Sequence, residues 1–120
     1  MSRITICDLS AGKSAPGANT DILEAANIVS RFRSGNDFQV PSEHHGATVR
    51  IQACFQNSTI VKVVDDTDTA LLFFNAVAVG AEAMHIFELI VSKDRTYNVQ
   101  IATDGIVRCL HIVLVVGDPA

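Results

Sequence analysis

The chain has 120 residues, of which 9 are basic and 13 acidic, for a net charge of −4; this length reads as one domain. Charged residues are 18% of the chain and hydrophobic ones 48%, against a usual charged share of about 25%. That composition excludes an intrinsically disordered chain and a generically basic nucleic-acid binder, whose affinity comes mainly from Lys and Arg. Domains of this size leave much of their surface exposed, so the apolar excess points to a partner subunit.

The opening Met1-Ser2-Arg3-Ile4-Thr5-Ile6-Cys7-Asp8 has no apolar stretch of signal-peptide length. The longest apolar runs, at 70–74, 76–79 and 112–116, fall short of the roughly 18 residues of a membrane span. The expectation is a protein made in a cytosol, with no membrane partner. Cys7, Cys54 and Cys109 are widely spaced and odd in number, so they read as buried thiols acting as small hydrophobes. Asn57-Ser58-Thr59 matches a glycosylation sequon but, without a secretory route, reads as a turn.

In chain order, residues 1–20 read as an N-terminal strand or arm and loop, rich in Ser, Ala and Gly from residue 9 on, and 21–120 as the main domain. Residues 21–33 fit a short helix, with Asp21 and Glu24 as a capping box and Ile22, Ala25, Val29 and Phe32 on one face. They equally fit a strand ending at Ser34-Gly35-Asn36 and paired with 37–40, the reading favoured by the β character of the rest. From residue 47 the pattern has period 2: Val49, Ile51, Ala53 and Phe55 alternate with Thr48, Arg50, Gln52 and Cys54. Further strands are expected at 59–64, 69–75 and 83–91, with turns at Gln56-Asn57-Ser58 and Gly80.

Asp104-Gly105 lies between two β-like runs, 97–103 and 106–116. Asp-Gly suits a type I′ turn, which predicts a hairpin with Tyr97 opposite Ile112, Val99 opposite Leu110 and Ile101 opposite Arg108. The last run is apolar on both sides: Ile106, Leu110, Ile112, Leu114 and Val116 on one, Val107, Cys109, Val113 and Val115 with His111 on the other. A strand apolar on both faces is covered on both faces. A sandwich core covers one; Val107, Cys109, His111, Val113 and Val115 are therefore the expected oligomer interface. The fold class expected is all-β, an antiparallel, jelly-roll-like β-sandwich with an N-terminal arm or short helix.

No residue pattern carries catalysis. Gly12-Lys13-Ser14 matches the end of a P-loop, but the position five residues earlier, where that motif has glycine, is Cys7. His44-His45 beside Glu43 would point in opposite directions on an extended chain, and His85 and His111 join them only through the fold. Asp65, Asp66 and Asp68 fail an EF-hand test, because the sixth and twelfth positions counted from Asp66 are Leu71 and Val77, not Gly and Glu. The expectation is no enzyme activity, no metal and no cofactor.

The stretch 48–117 resembles small β-sandwich virion proteins of tailed bacteriophages, head decoration (cement) and related auxiliary proteins. The similarity lies in Leu72-Phe73-Phe74-Asn75, Ala81 before His85-Ile86-Phe87-Glu88-Leu89, Tyr97-Asn98-Val99-Gln100, the Asp104-Gly105 turn and the long final strand. The resemblance implies a non-enzymatic capsid decoration protein on the virion surface. It further implies a homo-oligomer, a trimer by preference, that binds the major capsid protein and stabilises the head. The alternatives are a tail or fibre-tip receptor-binding module, and a cytosolic cupin-like β-barrel enzyme.

Overall fold

From residue 48 onward, β-branched and aromatic residues alternate with polar ones, and this sequence forms strands with one side turned inward. The computed structural model describes residues 2–9, 13–15, 20–65, 77–91, 95–101 and 105–116. Among them are β1 Ser2–Leu9, β2 Lys13–Ala15, β3 Thr20–Asp21, β4 Arg33–Ser34, β5 Asp37–Phe38, β6 Thr48–Phe55, β7 Thr59–Asp65, β8 Val77–Val79, β9 His85–Ile90, β10 Tyr97–Ile101 and β11 Gly105–Val116. The expected strand at 69–75 lies outside the described residues.

The strands form two antiparallel sheets. One runs β1-β11-β6-β9, with β2 also paired to β11; the other runs β4-β5-β10-β7-β8, with β3 paired to β10. The fold is thus an all-β sandwich, as the alternation predicts. The N-terminal segment is part of it: β1 pairs with β11 from Ser2↔Val116 to Leu9↔Leu110. Ile6, Cys7, Phe32, Phe38, Ile51, Phe55, Val63, Val99, Leu110, Ile112 and Leu114 belong to one buried cluster between the sheets. Each large side chain so buried contributes roughly 1.5–3 kcal/mol.

Residues 21–33 form neither the expected helix nor a long strand. Ala25–Asn27 and Ser30–Phe32 are single 3-10 turns, and Ile22, Leu23, Ile28 and Phe32 enter the core. Their irregular spacing fits neither a 3.6-residue nor a 2-residue period, so the segment turns locally to deliver each anchor. The Ser34-Gly35-Asn36 turn does form. Arg33 pairs with Phe38 and Ser34 with Asp37, and Gly35 takes φ +61° at the first central position, where a two-residue type II′ turn requires glycine.

The expected hairpin between 97–103 and 106–116 is not present. Val99 pairs with Val63 of β7, whereas Leu110 pairs with Ala53 of β6 and Leu9 of β1, so β10 and β11 lie in different sheets. Asp104 lies outside the described residues. The physical reason is that both edges of β11 are taken by other strands, and β10 is buried along its whole length. Local turn preference, worth little by itself, yields to these longer pairings.

The polar residues of β10 explain its placement. Asn98 Oδ1 accepts from the Leu23 and Val99 N–H groups at 3.2 and 2.8 Å. Its Nδ2 donates to the Asn36 carbonyl and to Asp37 Oδ1 at 2.9 and 2.8 Å. Gln100 Nε2 donates to Asp21 Oδ1 at 2.7 Å. One edge of β10 is shared between short strands, β5 at Tyr97 and β3 at Gln100 and Ile101. The Asn98 carboxamide links the chain segments on either side of that gap.

Candidate interaction surface

The outer face of the five-stranded sheet is set by two irregularities. In β11 the register shifts between Val107, opposite Phe55, and Cys109, opposite Cys54. A residue inserted this way bends a strand and reverses its alternation. Arg108 is the extra residue; it points out and meets Glu82 Oε1 at 3.0 Å. The second shift, in β1 between Thr5 and Cys7, lets both Ile6 and Cys7 be buried.

The bulge corrects the predicted interface. Val107 is 0% exposed and belongs to the core, while Ile106, expected inside, is 36% exposed. Beyond the bulge the alternation is as read from the sequence, with Leu110, Ile112 and Leu114 inward. Cys109, His111, Val113 and Val115 therefore share the outer face, and Val107 does not.

Cross-strand register arranges that face in rows. Arg3, Val115, Thr48 and Ile90 make one; Thr5, Val113, Arg50 and Glu88 the next; Asp8, His111, Gln52 and Ile86 the third. Val113, flanked by Thr5 and Arg50, is only 6% exposed, and Cys109, His111 and Val115 are half-buried. Long side chains on neighbouring strands cover apolar surface with their stems, so the middle of the face is largely screened by its own sheet. Arg50 reaches Glu88 Oε2 at 3.7 Å, and its buried Nε has no hydrogen-bond partner among the described residues.

The exposed apolar surface lies at the edge instead. Ile86 and Ile90 of β9 are 55% and 71% exposed, and Met84 just before them is also exposed. Phe87 and Leu89 of the same strand are in the core. Sequence reading missed this pair, although β9 is apolar on both sides in the same way as β11. Residues 2–9 and 21–32 do not cover the face: β1 lies beside β11 within the sheet, and Ile22, Leu23, Ile28 and Phe32 enter the core, while Val29 is exposed.

The other candidate residues are dispersed. Lys13 and Ser14 pair with Val107 and Ile106 as part of β2, an extended ladder unlike a phosphate loop, and Gly12 lies outside the described residues. His44 Nε2 approaches Glu43 Oε1 at 3.7 Å, while His45 Nε2 is 3.1 Å from the Val40 carbonyl. His85 Nε2 accepts from the Gly80 N–H at 3.2 Å; it falls in the row of Ala53 and Leu110, one register position from His111 and on the opposite side of the sheet. Asp65 meets Arg95 at 3.8 Å; Asp66 and Asp68 lie outside the described residues. Among the described residues no three His, Cys, Asp or Glu side chains converge as metal ligands, and no helix is long and apolar enough to cross a membrane.

A cavity of about 280 Å³ is lined by Arg31, Gln39, Val40, Pro41, Ser42, His45 and Arg95. Arg31 stacks its guanidinium 4.8 Å from the centre of the Phe32 ring and lies 3.9 Å from Glu43. The lining is mixed, with Val40 and Pro41 beside hydrogen-bond donors from Arg31, Gln39, Ser42 and Arg95, and has no paired nucleophile and base. No protein-family model matches the sequence, and no curated protein matches it either.

Proposed function

We propose that this chain is a structural virion protein, a capsid decoration protein that braces a phage head by bridging capsid subunits as a homo-oligomer. The observation that carries the reading is the pair Ile86 and Ile90, both exposed on the outer side of the edge strand β9, with Glu88 between them and a largely screened sheet face beside them. Large apolar side chains left exposed on an edge strand offer a place for another macromolecule to dock. Burying the two side chains contributes roughly 1.5–3 kcal/mol each, part of which is offset by the cost of association. The mechanism is adhesive: each interface formed lowers the free energy of the assembled shell. Support also comes from the resemblance of 48–117 to decoration proteins and from the sandwich fold; the trimer comes from the resemblance alone.

The test is cosedimentation of the purified protein with assembled phage shells that lack it, alongside light scattering of the free protein. The native chain is expected to saturate the shells at a fixed ratio, and Ile86→Lys/Ile90→Lys to bind much more weakly while remaining folded. A folded, monomeric protein that leaves the shells bare overturns the reading.

A second reading, a tail or fibre-tip module that binds a receptor glycan, is favoured by the cavity around Arg31, Ser42, His45 and Arg95. Hydrogen-bond donors lining a concave site suit a sugar's hydroxyls. Binding to host cell surfaces that is lost in Ser42→Trp, with no binding to shells, would select it.

A further inference from the structure

The geometry points to Cys54 and Cys109 as a reversible dithiol–disulfide pair that links β6 to β11 covalently under oxidising conditions. The two residues are direct cross-strand partners at the bulge. Residues directly opposite in an antiparallel ladder have Cα atoms about 4.5–5.5 Å apart, within the window a disulfide requires. Both side chains emerge on the outer face, because Ala53 and Phe55 on either side of Cys54 point into the core, as does Leu110 after Cys109. Cys54 is close enough to Cys109 to act on its ionisation, adding to burial in raising the Cys109 pKa. Directly opposed residues hold their Cβ atoms about 4.5–5.5 Å apart, close to the separation of a disulfide, so little backbone adjustment closes the bond.

Access differs between the two. Cys109 is half-buried and Cys54 almost covered, so Cys109 is the sulfur an oxidant meets and Cys54 the resolving thiol. Cys7, fully buried on β1 with Ile112 as its partner in register, has no route to either. With glutathione disulfide as oxidant, the Cys109 thiolate attacks one sulfur and expels a glutathione thiolate, leaving a mixed disulfide. Cys54 then gives up its proton and attacks the Cys109 sulfur, expelling the second glutathione. Two protein thiols lose two electrons, one glutathione disulfide gains them, and the two protons end on the two glutathione thiols. Burial raises the Cys109 thiol above the ordinary range, with the Cys54 and Asp8 charges adding to it, so the first step is slow at neutral pH and faster in mild alkali. The link does not depend on the role proposed above.

The full chain, incubated with excess glutathione disulfide in mildly alkaline buffer, should lose two hydrogen atoms in intact mass. Peptide mapping should join the Cys54 and Cys109 peptides and recover Cys7 as a thiol after denaturation. The oxidised form should unfold at higher urea than the reduced form and return to the reduced midpoint with dithiothreitol. Cys7→Ala should oxidise as the native chain does. A stable glutathione adduct on Cys109 with no internal link overturns the inference, as does a cross-link that includes Cys7 or a disulfide-linked dimer on a non-reducing gel.

Discussion

Asn98 Nδ2 donates to Asp37 Oδ1 at 2.8 Å, joining the middle of β10 to a hairpin 61 residues earlier in the chain. The same carboxamide accepts two main-chain N–H groups through its oxygen, from Leu23 and Val99, so one buried side chain connects the centre of the second sheet to β5 and to the segment just after β3. Asn98→Leu removes the acceptor and the donor together and leaves the Leu23 N–H without its partner. A buried group stranded in this way costs about 1–3 kcal/mol, and the lost bonds to Asn36 and Asp37 add to that. The expected loss is roughly 2–4 kcal/mol in urea unfolding. A change below the scatter of surface substitutions would mean that the network does not hold β10 in place.

Asn98 also marks where the sequence is misleading. Alternation alone located β6, β7 and β9, whose bounds agree within a residue or two with the expected runs, because one face of each is plainly apolar. In β10 the same rule places Asn98 and Gln100 on a solvent face. They are in fact buried under 20–38, and that burial depends on partners far away in sequence. Asp104-Gly105 has the chemistry of a hairpin turn, yet the strands it separates pair elsewhere. The bulge that inverts Val107 leaves no composition signal, since Arg108 is an ordinary outward residue on either register. The edge pair Ile86 and Ile90 is legible in His85–Ile90, where Phe87 and Leu89 share one side and the two isoleucines flank Glu88 on the other.

Val107 and Val113 separate the bulge from the interface. Val107 is in the core, so Val107→Asp buries a carboxylate among apolar side chains and should abolish folding; Val107→Ala should cost about 1–3 kcal/mol as a core truncation. Val113 lies on the outer face beside Arg50, so a carboxylate there can pair with the guanidinium and reach solvent, and Val113→Asp should lose stability yet leave a folded protein. Circular dichroism and light scattering on the pair check both statements. Equal damage from the two substitutions would contradict the reversed alternation at the bulge.

The edge isoleucines are expected to affect assembly and not stability. Ile90 is 71% exposed, and substitutions at such positions usually change stability by no more than about 0.5 kcal/mol. Ile90→Lys should therefore unfold at nearly the native urea midpoint. Leu89, one residue earlier and in the core, should lose about 2–5 kcal/mol on truncation to Ala. If Ile90→Lys proves as damaging as Leu89→Ala, β9 does not present the side described here to solvent.

Cys109 should make the fold sensitive to alkali. Burial favours its neutral thiol, and the nearby Cys54 and Asp8 charges act in the same direction, so its pKa is raised in the folded protein. The folded chain then holds this proton more tightly than the unfolded chain does. That contribution is fully present below the unfolded thiol pKa, about 8.5, and is lost as pH rises through the higher folded value. Under reducing conditions, the urea midpoint of the native chain should decline across this alkaline interval. Cys109→Ser, which has no thiol to ionise at this position, should show a shallower decline, with the difference between the two vanishing near neutral pH. Thiolate absorbance in the ultraviolet should rise later in the folded protein than in the denatured one. Parallel stability curves for the native chain and Cys109→Ser through the alkaline range would refute a raised Cys109 pKa.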